Sequence, residues 1–273
     1  FAKLGYSAKV VPSTAHLTEL HAFDAMQRDT FSGYMGWTPS DSQWAQATRG
    51  YWCAGLGLRS AAKHAAPAYI ASYNATLKHC RELDPNYQWE GSNPDSDPRR
   101  SQQSFNATVA DTDRLTTDAE PAAPSRQQTL SRAVDKKSHD EFLGSLNDSD
   151  KKALLSEMLP GASGFLEATP SKDLGLAWEP TEFVTEIRTR LLDNLFPDDD
   201  WCPACDSVLD SKGRHPAVCA CGGDRTRRHH AARNRVGLFA AAAGLNPELE
   251  KPGLLQPCLE QPGAARRRPA DVF

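Results

Sequence analysis

Residues 201–221 read WCPACDSVLDSKGRHPAVCAC, and within them Cys202, Cys205, His215 and Cys219 stand in the spacing C-x2-C-x9-H-x3-C. Each close pair can supply two ligands from a tight turn, and the loop between lets the pairs meet around one tetrahedral ion. Thiolate and imidazole donors select Zn2+ over hard cations such as Mg2+. Four protein ligands leave no open coordination position, so the ion is expected to be structural, replacing a core that so small a module cannot build. Cys221 is an alternative fourth ligand to Cys219, although H-x3-C is the commoner return.

Directly downstream, five arginines fall in eleven residues: Arg225, Arg227, Arg228, Arg233 and Arg235, with His229 and His230 among them. Asp224 or Thr226 can cap a helix that runs on through Val236, Leu238 and Phe239 and ends near Gly244. Arginine offers planar, bidentate donors suited to phosphate oxygens, so Arg225, Arg227, Arg228, His229, Arg233 and Arg235 are the candidate nucleic-acid contacts. An ordinary solvated helical face is the competing reading.

Upstream the pattern is helical. Leu17, Leu20, Phe23 and Met26 recur at three-residue steps, and Ser40 with Gln43 forms a capping-box pattern for a helix expected to reach about Trp52. A third helix is expected from about Arg59 to Cys80, bent at Pro67. Residues 130–146, 148–159 and 181–195 continue the helical pattern, with Ser149 as a possible cap for the second of these. Between them, residues 91–124 are rich in Ser, Asp, Asn, Pro and Arg, with few large apolar side chains, and are expected to form a disordered linker.

The chain has 273 residues and a net charge of −4, so any nucleic-acid site must be local rather than a property of the whole surface. Seven cysteines, four of them between 202 and 221, suit metal binding in a reducing compartment better than a disulfide framework. No stretch approaches the length of a membrane helix and no leader opens the chain, so a nuclear or cytoplasmic location is expected, with no membrane partner and no small-molecule substrate. The start at Phe1 and the stop at Phe273 are expected to mark a piece of a longer polypeptide.

Several segments together resemble the C-terminal part of non-LTR (LINE-like) retrotransposon reverse transcriptases. They are Cys202 to Asp206, His215 to Cys219, Gly222 to His229, Ala243 to Leu245, Glu250 to Leu255 and Arg268 to Val272. Gly55 to Ala61 and Ala162 to Leu166 also look like segments that follow the polymerase core in that family. The resemblance implies a polyprotein in which a zinc knuckle precedes a restriction-like endonuclease of the PD-(D/E)xK class, with template RNA or target DNA as partner. It places Cys202, Cys205, His215 and Cys219 on the knuckle and Arg228-His229 at the entrance of the basic helix. It places Asp271 on the first metal-binding, catalytic aspartate.

Phosphodiester hydrolysis needs further carboxylates to hold Mg2+ and a lysine to stabilise charge. The sequence has Pro269-Ala270-Asp271 and ends two residues later, so Mg2+ chemistry is expected only in an intact parent nuclease or polymerase. Glu250 is an auxiliary ligand or a surface glutamate. No Tyr-x-Asp-Asp polymerase pair appears.

The fold expected on these grounds is mainly α. A helical thumb-like region spans 1–90, the disordered linker 91–124, a second helical region 125–197 and a CCHC zinc knuckle 198–222. The basic helix and the truncated start of an α/β endonuclease-like domain follow in 223–273. The rival is a zinc-stabilised protein-interaction module on a helical adaptor, whose arginines keep the surface soluble.

Overall fold

The computed structural model describes residues 2–250 apart from 118, 122, 124, 174, 222 and 223. The described residues are mainly helical, with a single two-stranded sheet. The chain divides into two compact units, Phe1–Asp193 and Asn194–Phe273.

The first unit contains α1 (Ala2–Val10), α2 (Leu17–Met35), α3 (Asp41–Ala47), α4 (Ala61–Leu83), α5 (Asp97–Thr108), α6 (Gln127–Ser145), α7 (Asp148–Ser156), α8 (Gly164–Glu167) and α9 (Pro180–Arg190). Helix α4 is its axis. Ala65 and Ala68 pack with Ala8 of α1 and Leu20 of α2. Ala66, Ile70 and Ala71 pack with Phe105, Val109, Leu130 and Val134. Alanine on both faces lets neighbouring helices approach closely, and the N-terminus of α4 is doubly capped. Ser60 Oγ accepts from the Lys63 N–H at 3.2 Å, while Asp24 of α2 accepts from Ser60 Oγ at 2.5 Å and from the Ala61 N–H at 2.6 Å. A carboxylate there satisfies otherwise orphaned donors and opposes the positive end of the helix dipole.

The capping box expected at Ser40 forms, with the Ser40 N–H donating to Gln43 Oε1 at 2.7 Å and the Gln43 N–H donating to Ser40 Oγ at 3.4 Å. The helix it opens stops at Ala47 rather than near Trp52. The chain instead folds back, so that the Leu56 N–H donates to the Ala47 carbonyl at 3.0 Å and the Gly57 N–H to Arg49 at 2.9 Å. This close approach requires glycine at 55, where a Cβ would stand 2.1 Å from the Arg49 carbonyl oxygen. In α7 the cap is Asn147, whose Oδ1 accepts from the Asp150 N–H at 2.9 Å, not Ser149.

Residues 91–124 depart from the expected linker. Ser96 caps α5, Pro98 sits in its first turn, and Phe105 and Val109 are fully buried between α4 and α6. Asn106 then pins the returning chain, donating to the Leu115 carbonyl at 2.9 Å and accepting from the Leu115 N–H at 2.8 Å. Two large apolar residues four apart suffice because buried Ser101 and Gln102 keep the rest of the face slim.

The two expected helical regions therefore form one unit. Ile187 and Leu191 pack with Ala47 and Leu56. Arg190, fully buried, donates to Glu157 Oε2 at 2.6 Å, to Ser163 Oγ at 2.7 Å and to the Gly55 carbonyl at 3.3 Å. Desolvation lowers the Arg190 pKa, and Glu157 works against that shift.

In the second unit, β1 (Asp200–Trp201) pairs antiparallel with β2 (Val208–Leu209), Asp200 opposite Leu209 and Trp201 opposite Val208. Helices α10 (Arg214–Val218) and α11 (Asp224–Ala242) follow. No helix of the described residues is long and apolar enough to cross a membrane. Asp271 lies outside the described residues.

Candidate metal centre

The pairing of β1 with β2 closes a turn over residues 202–207, in which the Cys202 N–H donates to the Ser207 carbonyl at 3.0 Å. Cys202 and Cys205 both lie in this turn. The other pair is set by α10, which carries His215 in its first turn and has Cys219, four residues on, as its C-cap. The Cys219 N–H donates to the His215 carbonyl at 2.8 Å, completing that turn of helix.

These four side chains meet, with every candidate ligand atom within 4.8 Å of the others. Cys202 Sγ is 4.0 Å and Cys205 Sγ 3.8 Å from Cys219 Sγ, and Cys205 Sγ is 3.3 Å from His215 Nε2. For a tetrahedral ion with Zn–S near 2.3 Å and Zn–N near 2.05 Å, the ligand–ligand separations are about 3.8 Å for two sulfurs and about 3.6 Å for sulfur and nitrogen. The donor set and its spacing therefore fit a metal ion of that size. Cys221 is exposed and stands outside the group.

The thiols are unevenly prepared for deprotonation. The side chain and backbone of Ser207 hydrogen-bond to Cys205 and bring its pKa down to about 6. Cys219 accepts from the backbone N–H of Cys221, which lowers its pKa, but burial and the neighbouring Cys205 and Cys202 sulfurs together push it up to about 11. A cation entering the group displaces these protons, so its affinity must fall as the pH falls.

Asp210, which did not figure among the candidate residues, positions the second ligand pair. Its Oδ1 accepts from the Arg214 N–H at 3.0 Å and its Oδ2 from the His215 N–H at 2.6 Å, across a left-handed turn at Gly213. Burial works to raise the Asp210 pKa, but the two backbone donors and Arg214 hold it below the ordinary carboxylate value. An acidic residue four and five positions ahead of an Arg-His pair is the sequence signal that could have found it. In the Asp198-Asp199-Asp200 run, Asp199 Oδ1 accepts from the Ser211 N–H at 2.7 Å and so braces the loop.

The basic residues on α11 divide between two faces. His230, Arg233, Gly237 and Ala240 are its more buried positions, at helical spacing. Arg233 pairs with Glu250, and His230 Nε2 lies 3.7 Å from the same carboxylate, so Arg233 faces inward and Glu250 acts as its partner. Arg225, Arg227, Arg228, His229 and Arg235 are exposed. Arg228 also donates to the Ala217 carbonyl, tying the start of α11 to α10, which carries two of the clustered ligands. Val236 and Phe239 are exposed beside these arginines at 55% and 46%.

Compared with models of protein families, with curated proteins and with solved structures, the chain gives no match.

Proposed function

We propose that Cys202, Cys205, His215 and Cys219 hold one structural Zn2+ and that the knuckle so formed sets the basic face of α11 against nucleic-acid phosphates. The observation that carries this reading is the Arg228 bond to Ala217, which makes the orientation of α11 depend on the helix that bears His215 and Cys219. Zn2+ supplies a fixed tetrahedral node and no reaction step. Asp210 orients the histidine and cysteine pair, and Ser207 stabilises the Cys205 thiolate.

On this reading the chain is a nucleic-acid-binding piece of a retroelement polyprotein that engages template RNA or target DNA. The resemblance described above supplies the retroelement context. Phosphate contacts release counterions, giving a slope of about −0.9 in log K against log salt per contact on duplex DNA and about −0.7 on single strands. Affinity of the 273-residue chain for duplex DNA and for RNA, measured across a salt series, should fall steeply. Arg225→Gln with Arg227→Gln should make the slope shallower by about one to two. A weak, flat salt response would remove the reading.

The exposed Val236, Leu238 and Phe239 favour a second reading, in which α11 docks a protein partner. That interface would be insensitive to salt and to the two arginine substitutions.

A further inference from the structure

The first unit holds two neighbouring cavities, of about 800 and 410 Å3, that share Trp52 and Arg132 in their walls. The larger is within the size range of sites that enclose a small aromatic ligand. Leu20, Ala65 and Ala68 form part of its apolar wall, and Tyr51, Arg59 and His64 line it as well. The smaller is lined by Phe105 and Leu115 together with Asp113 and Lys136.

Trp52 is 38% exposed, and its indole is held against the backbone. A Cβ at residue 50 would stand 3.0 Å from Trp52 Cδ1 and Nε1 and 2.9 Å from Arg59 Nη2, so glycine there sets both side chains in the wall. Asp135 of α6 fixes the same corner. It pairs with Arg59, accepts from the Gly50 N–H at 3.2 Å and lies 3.5 Å from His64 Nε2. On α6, Arg132 and Lys136 stand one helical turn apart. Arg132 is exposed and has no ion-pair partner among the described residues, and Lys136 Nζ is 4.0 Å from Asp140. Two buried polar atoms in these walls lack a hydrogen-bond partner among the described residues, His64 Nδ1 in the larger cavity and Asp113 Oδ2 in the smaller.

The geometry points to a groove in the first unit that takes two successive nucleotides of a single strand, stacked about Trp52, with their phosphates against Arg132 and Lys136. Two cavities that share a half-exposed indole in their walls suit unstacked bases, because every base has a face that stacks on an aromatic ring. Duplex bases are paired and cannot enter. Asp113 gives the groove a preference, since a carboxylate accepts from the exocyclic amino group of cytosine, adenine or guanine, whereas uracil offers only its ring N3–H. Glu167 in the lining of the larger cavity opposes a site for phosphate alone. The inference shares with the proposed function the premise that this chain handles nucleic acid, but it uses residues of the other unit.

The test irradiates the full chain, loaded with Zn2+, with a ten-nucleotide oligocytidylate carrying 5-iodocytosine and maps the crosslinks by peptide mass spectrometry. Crosslinks are expected at Tyr51 or Trp52, and they should persist when Arg225 and Arg227 are replaced by glutamine. Trp52→Ala should weaken binding at the groove by about five- to hundredfold, and Trp52→Phe should restore most of it. Asp113→Asn should narrow the preference for oligocytidylate over oligouridylate, and circular dichroism should show all three groove variants folded. Crosslinks confined to 225–235 would overturn the groove and leave the helix reading standing. The absence of crosslinks at Tyr51 and Trp52 would overturn the groove, and the helix reading stands or falls by the salt series. Saturable binding of cytidine monophosphate that the oligonucleotide cannot displace would overturn the groove as a strand site.

Discussion

Replacing Asp210 with alanine should weaken metal binding although Asp210 is not itself a ligand. Its carboxylate receives the first two backbone donors of α10, at 3.0 and 2.6 Å, and α10 is only five residues long. A helix that short has no stability of its own. Loss of such a capping group costs about 0.5–2 kcal/mol. Because His215 and Cys219 both ride on this turn, the cost passes to the ion, and about 1.4 kcal/mol per tenfold gives an affinity lower by about two- to thirtyfold. That overlaps the range of about ten- to a hundredfold seen when a group supporting a metal ligand is removed. Competition with a chelating dye at pH 7.5 measures it, and Asp210→Asn, which keeps one acceptor, should fall between. The Asp210 carboxyl is held below its unfolded pKa, so its contribution is fully present above about pH 4–5 and is lost as the pH falls through the folded value. Equal affinity in the wild type and the alanine variant would refute the positioning role.

Three further outcomes follow from the first unit. Phe105→Ala should destabilise it by about 3–5 kcal/mol in urea unfolding, whereas a linker residue would cost nothing. Arg190→Met should cost about 3 kcal/mol, near the low end for breaking a buried pair, because Glu157 keeps 23% of its side-chain exposure and stays partly solvated. Between pH 7 and 5 stability should decline through His139, whose pKa is lowered chiefly by burial and also by Arg49. The unfolded chain, with its histidine titrating near 6.5, takes up the proton first, and His139→Gln should flatten that part of a Tm against pH curve.

The metal quartet was legible because its spacing encodes geometry directly: a turn carries one pair and a single turn of helix the other. The α3 capping box was legible for the same reason, since Ser40 and Gln43 meet within one turn. What sequence reading missed depends on partners distant in the chain. Helix α5 looked too polar to order, yet Phe105 and Val109 reach a core built by α4 and α6. Arg233 looked like one more phosphate contact until Glu250, seventeen residues on, closed on it. Arg190 resembled any surface arginine near a helix end, and only the return of Gly55 and Glu157 buries it.

Cobalt(II) substitution tests the central claim most directly. Titrated into the reduced, metal-free 273-residue chain, Co2+ should bind at one equivalent with the strong visible absorption of a tetrahedral site and a thiolate charge-transfer band. Cys205→Ser or His215→Ala should diminish it, Cys221→Ser should leave it unchanged, and Zn2+ should displace it. Weak, octahedral-type absorption, or a spectrum indifferent to Cys205, His215 and Cys219, would contradict the account.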